Sequence, residues 1–421
     1  MDFPRRFLPV VWLMRYYFSL LNVIVLIAAV GSLAACAGRP QGVLLATHKR
    51  PDNVELVNML VVTTRAPDDM QEGVMFGGDR ANHASFANII VSVPPDANRL
   101  AGEIQWPAEK IANPSYEFST VEARILTQDE AMKDFDQRIR KTPKRQVLIF
   151  VHGFNTKFEE AVYRFAQIIH DANADVVPVL FTWPSRGNLL QYGYDHESAS
   201  YSRDALENTL QVLARDPSVG EISILAHSMG NWVTLEALRQ MSIRNHALPT
   251  KIQNIMLAAP DVDFDVFRRQ IAAIGVKPSL FTLFVSRDDE ALAVSRRVWG
   301  NKPRLGAVNT ADEPYQEALD RDRIQIVDLT DVASGDRLGH TKFAQAPAVV
   351  RAIGGRLAQG QTLNDGKAGV GQRLGLATAG AVATVGTAAG VAVAAPFAII
   401  DPHTREQMND HLDSLGAQLA P

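Results

Sequence analysis

Hydrophobic and polar positions divide this chain into two kinds of pattern. Residues 54–64 form a β-rich run (Val57, Leu60, Val61, Val62), and residues 86–93 alternate until Pro94 and Pro95. These predict two strands antiparallel to each other, joined by a glycine-bearing loop over 70–85. Residues 116–126 predict a third strand, and 129–140 a charged surface helix. From Arg145 the pattern changes. Short apolar runs at 146–151, 176–181, 221–226, 252–259, 280–286 and 324–327 alternate with helical spacing at 157–172, 204–213, 266–274, 291–298 and 341–353. Another helical pattern begins just after Gly230 (Val233, Leu235, Ala237, Leu238). Strict alternation of this kind predicts an α/β fold, a mostly parallel doubly wound sheet with helices on both faces. Ligands of such sheets sit at the carboxyl ends of the strands.

Both flanks depart from that pattern. Arg5, Arg6 and Arg15 precede an uncharged apolar run over 16–35 that ends in Leu33-Ala34-Ala35-Cys36. A basic start, an apolar segment and small residues describe a secretory signal. The last four residues resemble a bacterial lipobox, which implies that Cys36 becomes a lipidated first residue held on a membrane. The other reading is an uncleaved signal anchor, because about 20 apolar residues span a bilayer. The expected organisation is a lipoprotein signal over 1–35, a tether over 36–53, the α/β domain over 54–358 and a tail over 359–421. Within the tail, 374–400 is uncharged and rich in Ala, Gly, Val and Thr, with small residues at helical spacing. This Ala/Gly-rich helical tail is long enough to span a bilayer, while its low bulk hydrophobicity fits a packed or membrane-lying helical hairpin equally well, and Pro396 would interrupt a single straight span. The expected location is the cell envelope, facing the periplasm or the exterior.

Composition narrows the chemistry. The 421 residues are 47% hydrophobic and 21% charged, an ordinary globular balance, with a net charge of −4 and no basic block. No nucleic-acid partner is expected. Cys36 is the one cysteine, which excludes disulfides within the chain and thiolate metal sites.

The candidate chemistry centres on Ala226-His227-Ser228-Met229-Gly230, where an apolar strand runs straight into a helix. A serine at the tip of such a turn is a nucleophile elbow, and the tight turn needs small residues two positions away on each side. Ala226 and Gly230 supply them. A serine hydroxyl needs an imidazole to take its proton. Of ten histidines, His227 adjoins the serine but points away from it in such a turn, and is read as structural. His340 lies just past the final strand, where the chain order serine, acid, histidine puts the base. Asp288 and Asp289, at the end of the strand over 280–286, are candidates for the acid that orients it. Asp261, Asp263 and Asp265 compete, one strand earlier. The backbone N–H of Met229 and that of Phe154, in the loop His152-Gly153-Phe154-Asn155, are the candidate oxyanion donors. Trp183, Tyr192 and Tyr194 follow a strand at the same sheet edge and are expected to line the cleft. For Trp183 the alternative is packing within its loop.

Together these motifs resemble the α/β-hydrolase superfamily, and more narrowly its bacterial branch catalogued as domain of unknown function 900. The residues that carry the resemblance span about 54–353. They are Thr64-Arg65, the His152 loop, Trp183-Pro184-Ser185-Arg186-Gly187, Tyr194-Asp195, Ser198-Ala199, the Ser228 turn, Ala258-Ala259-Pro260-Asp261, Asp289-Glu290-Ala291-Leu292 and Gly339-His340. The resemblance implies an α/β-hydrolase fold and assigns the acid to Asp289. The expected activity is cleavage of a small-molecule or lipid ester by Ser228, His340 and Asp289, without metal or organic cofactor. An amidase or thioesterase on the same residues, or a non-catalytic envelope scaffold, are the alternatives.

Overall fold

A computed structural model describes residues 41–47, 54–275, 280–321 and 324–359. The chain divides into Met1–Gln41 and Gly42–Pro421, and the architecture below is that of the second unit. The signal segment, Cys36 and the Ala/Gly-rich stretch 374–400 lie outside the described residues. Among the described residues no helix is long and apolar enough to cross a membrane.

Among the described residues nine strands form one sheet: β1 (Glu55–Asp68), β2 (Met75–Val93), β3 (Ser119–Leu126), β4 (Gln146–Val151), β5 (Val177–Thr182), β6 (Glu221–His227), β7 (Ile252–Ala258), β8 (Phe281–Val285) and β9 (Gln325–Asp328). Their order is β3-β2-β1-β5-β4-β6-β7-β8-β9. β1 to β3 form an antiparallel meander, and every later pairing, including β1 with β5, is parallel. β4 is fully buried, yet its side chains still split by face. Val147, Ile149 and Val151 join one core, and Leu148 and Phe150 the other. The first core packs under α1 (Gln128–Ile139), α3 (Tyr192–Arg215), α4 (Gly230–Asn245) and α5 (Phe264–Ile274). α2 (Phe158–Asp171) covers the opposite face, together with α8 (Lys342–Gln345) and α9 (Pro347–Gln359). α6 (Glu290–Val298) follows β8, and α7 (Tyr315–Arg321) precedes β9. The chain passes from β4 to β5 on one side and then to β6 on the other. β4 and β6 are therefore the switch point above which an α/β sheet opens a crevice.

Several elements differ from the sequence expectation, each for a physical reason. β2 begins at Met75, inside the expected loop; its first half is half-exposed on both faces, so no apolar alternation marks it. α3 starts twelve residues before the expected 204, from the bounds Tyr192 and 204. Its early buried face is made of Asp195, Ser198, Ala199 and Ser202, which repeat at helical spacing but are small or polar. They let the helix lie close on β1, where Thr64 Oγ1 and Ser202 Oγ are 2.8 Å apart. The expected helix over 341–353 is two helices, because Pro347 lacks an N–H and starts a new one. The expected tether over 36–53 includes packed residues. Val43 and Leu44 are buried, and Tyr163 Oη and Thr120 Oγ1 donate to the Val43 carbonyl at 2.9 and 3.0 Å.

Two adjacent glycines in α9 have opposite surroundings. A β-carbon on Gly354 would lie 1.7 Å from the Ala172 carbonyl oxygen at the end of α2, whereas one on Gly355 meets nothing within 4 Å. Thermal unfolding is therefore expected to show Gly355→Ala stabilising by about 0.5–1 kcal/mol, the ordinary helical gain. Gly354→Ala is expected to destabilise, because the helix must back away from α2.

Candidate active site

β6 runs between β4 and β7, with Ala226 paired to Val151 and His227 to Ala258. The chain then turns through Ser228 at φ 52°, a left-handed conformation that costs a non-glycine residue roughly 1–2 kcal/mol. Local bonds hold the turn. The Ser228 N–H donates to the Ala258 carbonyl at 3.0 Å, and Asn231 Nδ2 donates to the Ser228 carbonyl at 2.9 Å. Space also dictates the flanking residues. A β-carbon on Gly230 would lie 2.4 Å from the His152 carbonyl oxygen and 2.6 Å from that of Val151. One on Gly153 would lie 2.8 Å from Ser228 Cβ. The β4 loop therefore presses directly onto the serine turn.

His340 reaches the same edge from the segment after β9. Its Nδ1 lies 2.7 Å from Asp289 Oδ2, and the ring is 15% exposed. Asp289 is fixed at both oxygens, since Oδ1 caps α6 by accepting the Leu292 N–H at 2.9 Å. Burial pulls the His340 imidazole down, but the charge of Asp289 and its hydrogen bond outweigh that, and the ring is held above its ordinary pKa. The Nδ1 proton on Asp289 leaves Nε2 free to accept another. Among the described residues Ser228 Oγ and His340 Nε2 make no hydrogen bond to each other; such contacts often tighten only when substrate is bound. The N–H groups of Met229 and Phe154 make no backbone hydrogen bond among the described residues, at the start of α4 and in the turn pressed on Ser228.

A family model described as alpha/beta hydrolase of unknown function (DUF900) matches residues 127–356, more than half of the chain and all three of these side chains. The chain is a member of this α/β-hydrolase family. An uncharacterized protein of Nostoc sp. is 23% identical over 148 residues, covering 29% of this chain and 38% of the relative.

The remaining candidate residues sort by their contacts. Asp288 is turned outward to Lys342 Nζ at 2.8 Å, so of the adjacent carboxylates it is Asp289 that meets His340. Asp263 caps α5, and Asp265 lies in that helix's exposed first turn. Asp261 is buried and fully engaged, accepting from Arg304 Nε at 2.7 Å, Ser295 Oγ at 2.6 Å and Tyr192 Oη at 2.7 Å. Trp183 does not line the cleft. It has no exposed surface, stacks on the His152 ring at 4.9 Å and donates its indole N–H to the His152 carbonyl at 2.8 Å. Its flat apolar face supports the loop from behind. Tyr194 also faces away, its ring between Arg186 and Arg80 and its hydroxyl on the Gly78 carbonyl. Tyr192 does stand beside the candidate oxyanion turn, edge-on to Phe154 at 4.9 Å. Among the described residues no group of three or more His, Cys, Asp or Glu side chains is arranged to hold a metal.

Two residues gain functions that spacing did not reveal. Arg65, a marker in the sequence, is 1% exposed and donates to the carbonyls of Gly77, Ser185 and Thr156 at 2.7–2.9 Å, binding the start of β2 and the loops after β4 and β5 behind the site. Burial lowers its pKa to about 10, so it remains a cation at neutral pH. His227, read as structural, has Nε2 3.1 Å from the His340 carbonyl oxygen. No short-range pattern could have announced either contact, because each joins segments distant in sequence.

His152 gives a pH prediction. Its Nε2 accepts the Trp183 N–H at 3.1 Å and its Nδ1–H donates to the Gly153 carbonyl at 2.8 Å, so the ring is held neutral. Burial, then the charge of Arg65, depresses its pKa to about 3. A folded pKa below the unfolded value of about 6.5 gives stability that is complete above that pH and lost as pH falls towards 3. Denaturant unfolding is expected to show stability declining from about pH 6.5 to 4, with a shallower decline in His152→Gln.

Proposed function

We propose that this hydrolase cleaves carboxylic esters through an acyl-enzyme. Ser228 Oγ attacks the ester carbonyl carbon while its proton passes to His340 Nε2. Asp289 keeps Nδ1 protonated and stabilises the imidazolium that forms. The carbonyl oxygen, now an alkoxide, is stabilised by the N–H groups of Met229 and Phe154; losing one such donor costs about two to three powers of ten in rate. Collapse breaks the bond to the alkoxy group, which leaves with the proton from His340. Water then attacks the acyl-serine, giving its proton to His340, and the acid departs as Ser228 regains a proton. Every group needed is an ordinary side chain or amide, so the reaction requires no cofactor.

The observation that carries this reading is the 2.7 Å contact between His340 Nδ1 and Asp289 Oδ2, at the sheet edge where Ser228 takes its left-handed turn. A further part of the proposal rests on sequence pattern. The lipobox-like Leu33-Ala34-Ala35-Cys36 supports a lipid-anchored protein of the cell envelope, acting on small-molecule or lipid esters at the periplasmic or outer side.

Labelling of the full chain by a fluorophosphonate, located by mass spectrometry, tests the chemistry. Label is expected on Ser228 and absent from Ser228→Ala; equal labelling of the variant would contradict the assignment. Because His340 must be neutral to accept a proton, kcat/KM for a nitrophenyl ester is expected to fall on the acid side with a midpoint above the ordinary imidazole value of about 6.5. Asp289→Asn removes the charge that raises it, so the midpoint moves down and kcat falls by on the order of 10⁴.

A further inference from the structure

One half-buried imidazole beside the candidate triad has no part in the chemistry above. His227 ends β6, one residue before Ser228. Its ring lies 4.7 Å from that of His340 and 4.8 Å from that of Phe343. Gly153 closes over the other side, where a β-carbon would lie 2.9 Å from His227 Nδ1. Nε2 is 3.1 Å from the His340 carbonyl oxygen. A carbonyl only accepts, so Nε2 carries the proton and the tautomer is fixed. Burial and then the neighbouring charge of His340 hold this ring well below its ordinary pKa; Arg164 and His152 act in the same direction. It remains neutral while His340 gains and loses a proton.

The importance of this bond lies in what else holds His340. The segment between β9 and α8 has no regular structure. Its contacts with α6 fix the imidazole relative to Asp289: the Glu290 N–H donates to the Leu338 carbonyl at 2.9 Å, and Asp289 takes the side chain. Neither contact sets its distance from Ser228, which follows β6. Among the described residues, the hydrogen bond that joins the His340 turn to the serine strand is the one from His227.

We propose that His227 is a positioning residue: its Nε2–H grips the His340 main chain and registers the base against the nucleophile. The proposal rests on the serine-hydrolase reading of the site. A misplacement of about 1 Å between reacting groups can cost on the order of 100-fold in rate. A donor is what the position requires, so glutamine, whose amide nitrogen reaches a similar distance, replaces it better than an apolar side chain of like volume.

The test uses the full chain with a nitrophenyl ester and the fluorophosphonate label. His227→Leu is expected to lower kcat and the labelling rate about 10- to 100-fold, with KM changed by less than about twofold, because the variant displaces the base and not a group proposed to bind substrate. His227→Gln is expected to recover most of that loss. If His227→Leu does not fold, His227→Asn supplies the comparison: it keeps a donor that is too short to reach and should lose rate as leucine does. Wild-type rates in His227→Leu, or equal losses in the glutamine and leucine variants, would overturn the proposal. In both results the wild-type chain still labels at Ser228. A wild-type chain that does not label there overturns the hydrolase reading and this proposal with it.

Discussion

Ser228 takes its left-handed turn under a β4 loop packed so closely that neither Gly153 nor Gly230 has room for a β-carbon. The carbonyls of Val151 and His152 come within van der Waals reach of Gly230, and Gly153 sits against Ser228 Cβ. Each approach depends on a missing β-carbon, and together they press the loop bearing Phe154 onto the serine turn. The strain of a positive φ at serine, roughly 1–2 kcal/mol, is borne by a parallel sheet buried on both faces. Ile149, Ile224 and Leu257, on three adjoining strands, have no exposed surface. A rigid floor of this kind lets one strained residue persist without local relaxation.

The loops above that floor are held by buried polar groups. Arg65 reaches the loops after β4 and β5 and the start of β2. Asp195 accepts from Ser185 Oγ at 2.5 Å and from the Arg186 N–H at 3.0 Å, and Ser185 Oγ accepts the Thr156 N–H at 3.0 Å. On the other side of Ser228, Asp261 gathers Tyr192, Ser295 and Arg304, and Trp299 donates to the Tyr192 hydroxyl at 2.9 Å. Such groups cost free energy to bury and return it only when satisfied, which favours one loop arrangement over many. His340 is joined to the start of α6 by its side chain and to β6 by its carbonyl.

Much of this was legible in the sequence where burial writes a regular pattern. β4 falls on its expected residues, and the strands and helices from Gln146 to Val298 lie close to the apolar runs that announced them. The serine turn was legible because strand, small residue, serine, small residue and helix leave few other geometries. The first half of α3 was not, since its inward face of Asp195, Ser198, Ala199 and Ser202 repeats at helical spacing without being apolar. Adjacent Asp288 and Asp289 could not be told apart by spacing, and family resemblance separated them. The structure gives the physical difference: one carboxylate caps α6 facing inward, and the other pairs with Lys342. Trp183 was misplaced because an aromatic after a strand fits a cleft wall and a loop support equally well.

In the proposed chemistry Ser228 and His340 act as one unit, although one follows β6 and the other lies in the irregular segment after β9. Residues that act as a unit lose their effect together, so their removal is far from additive. Turnover of a soluble nitrophenyl ester by Ser228→Ala, His340→Ala and the double variant measures this directly. The double variant is expected to be no slower than the slower single one. Losses that multiply across the two positions would contradict it.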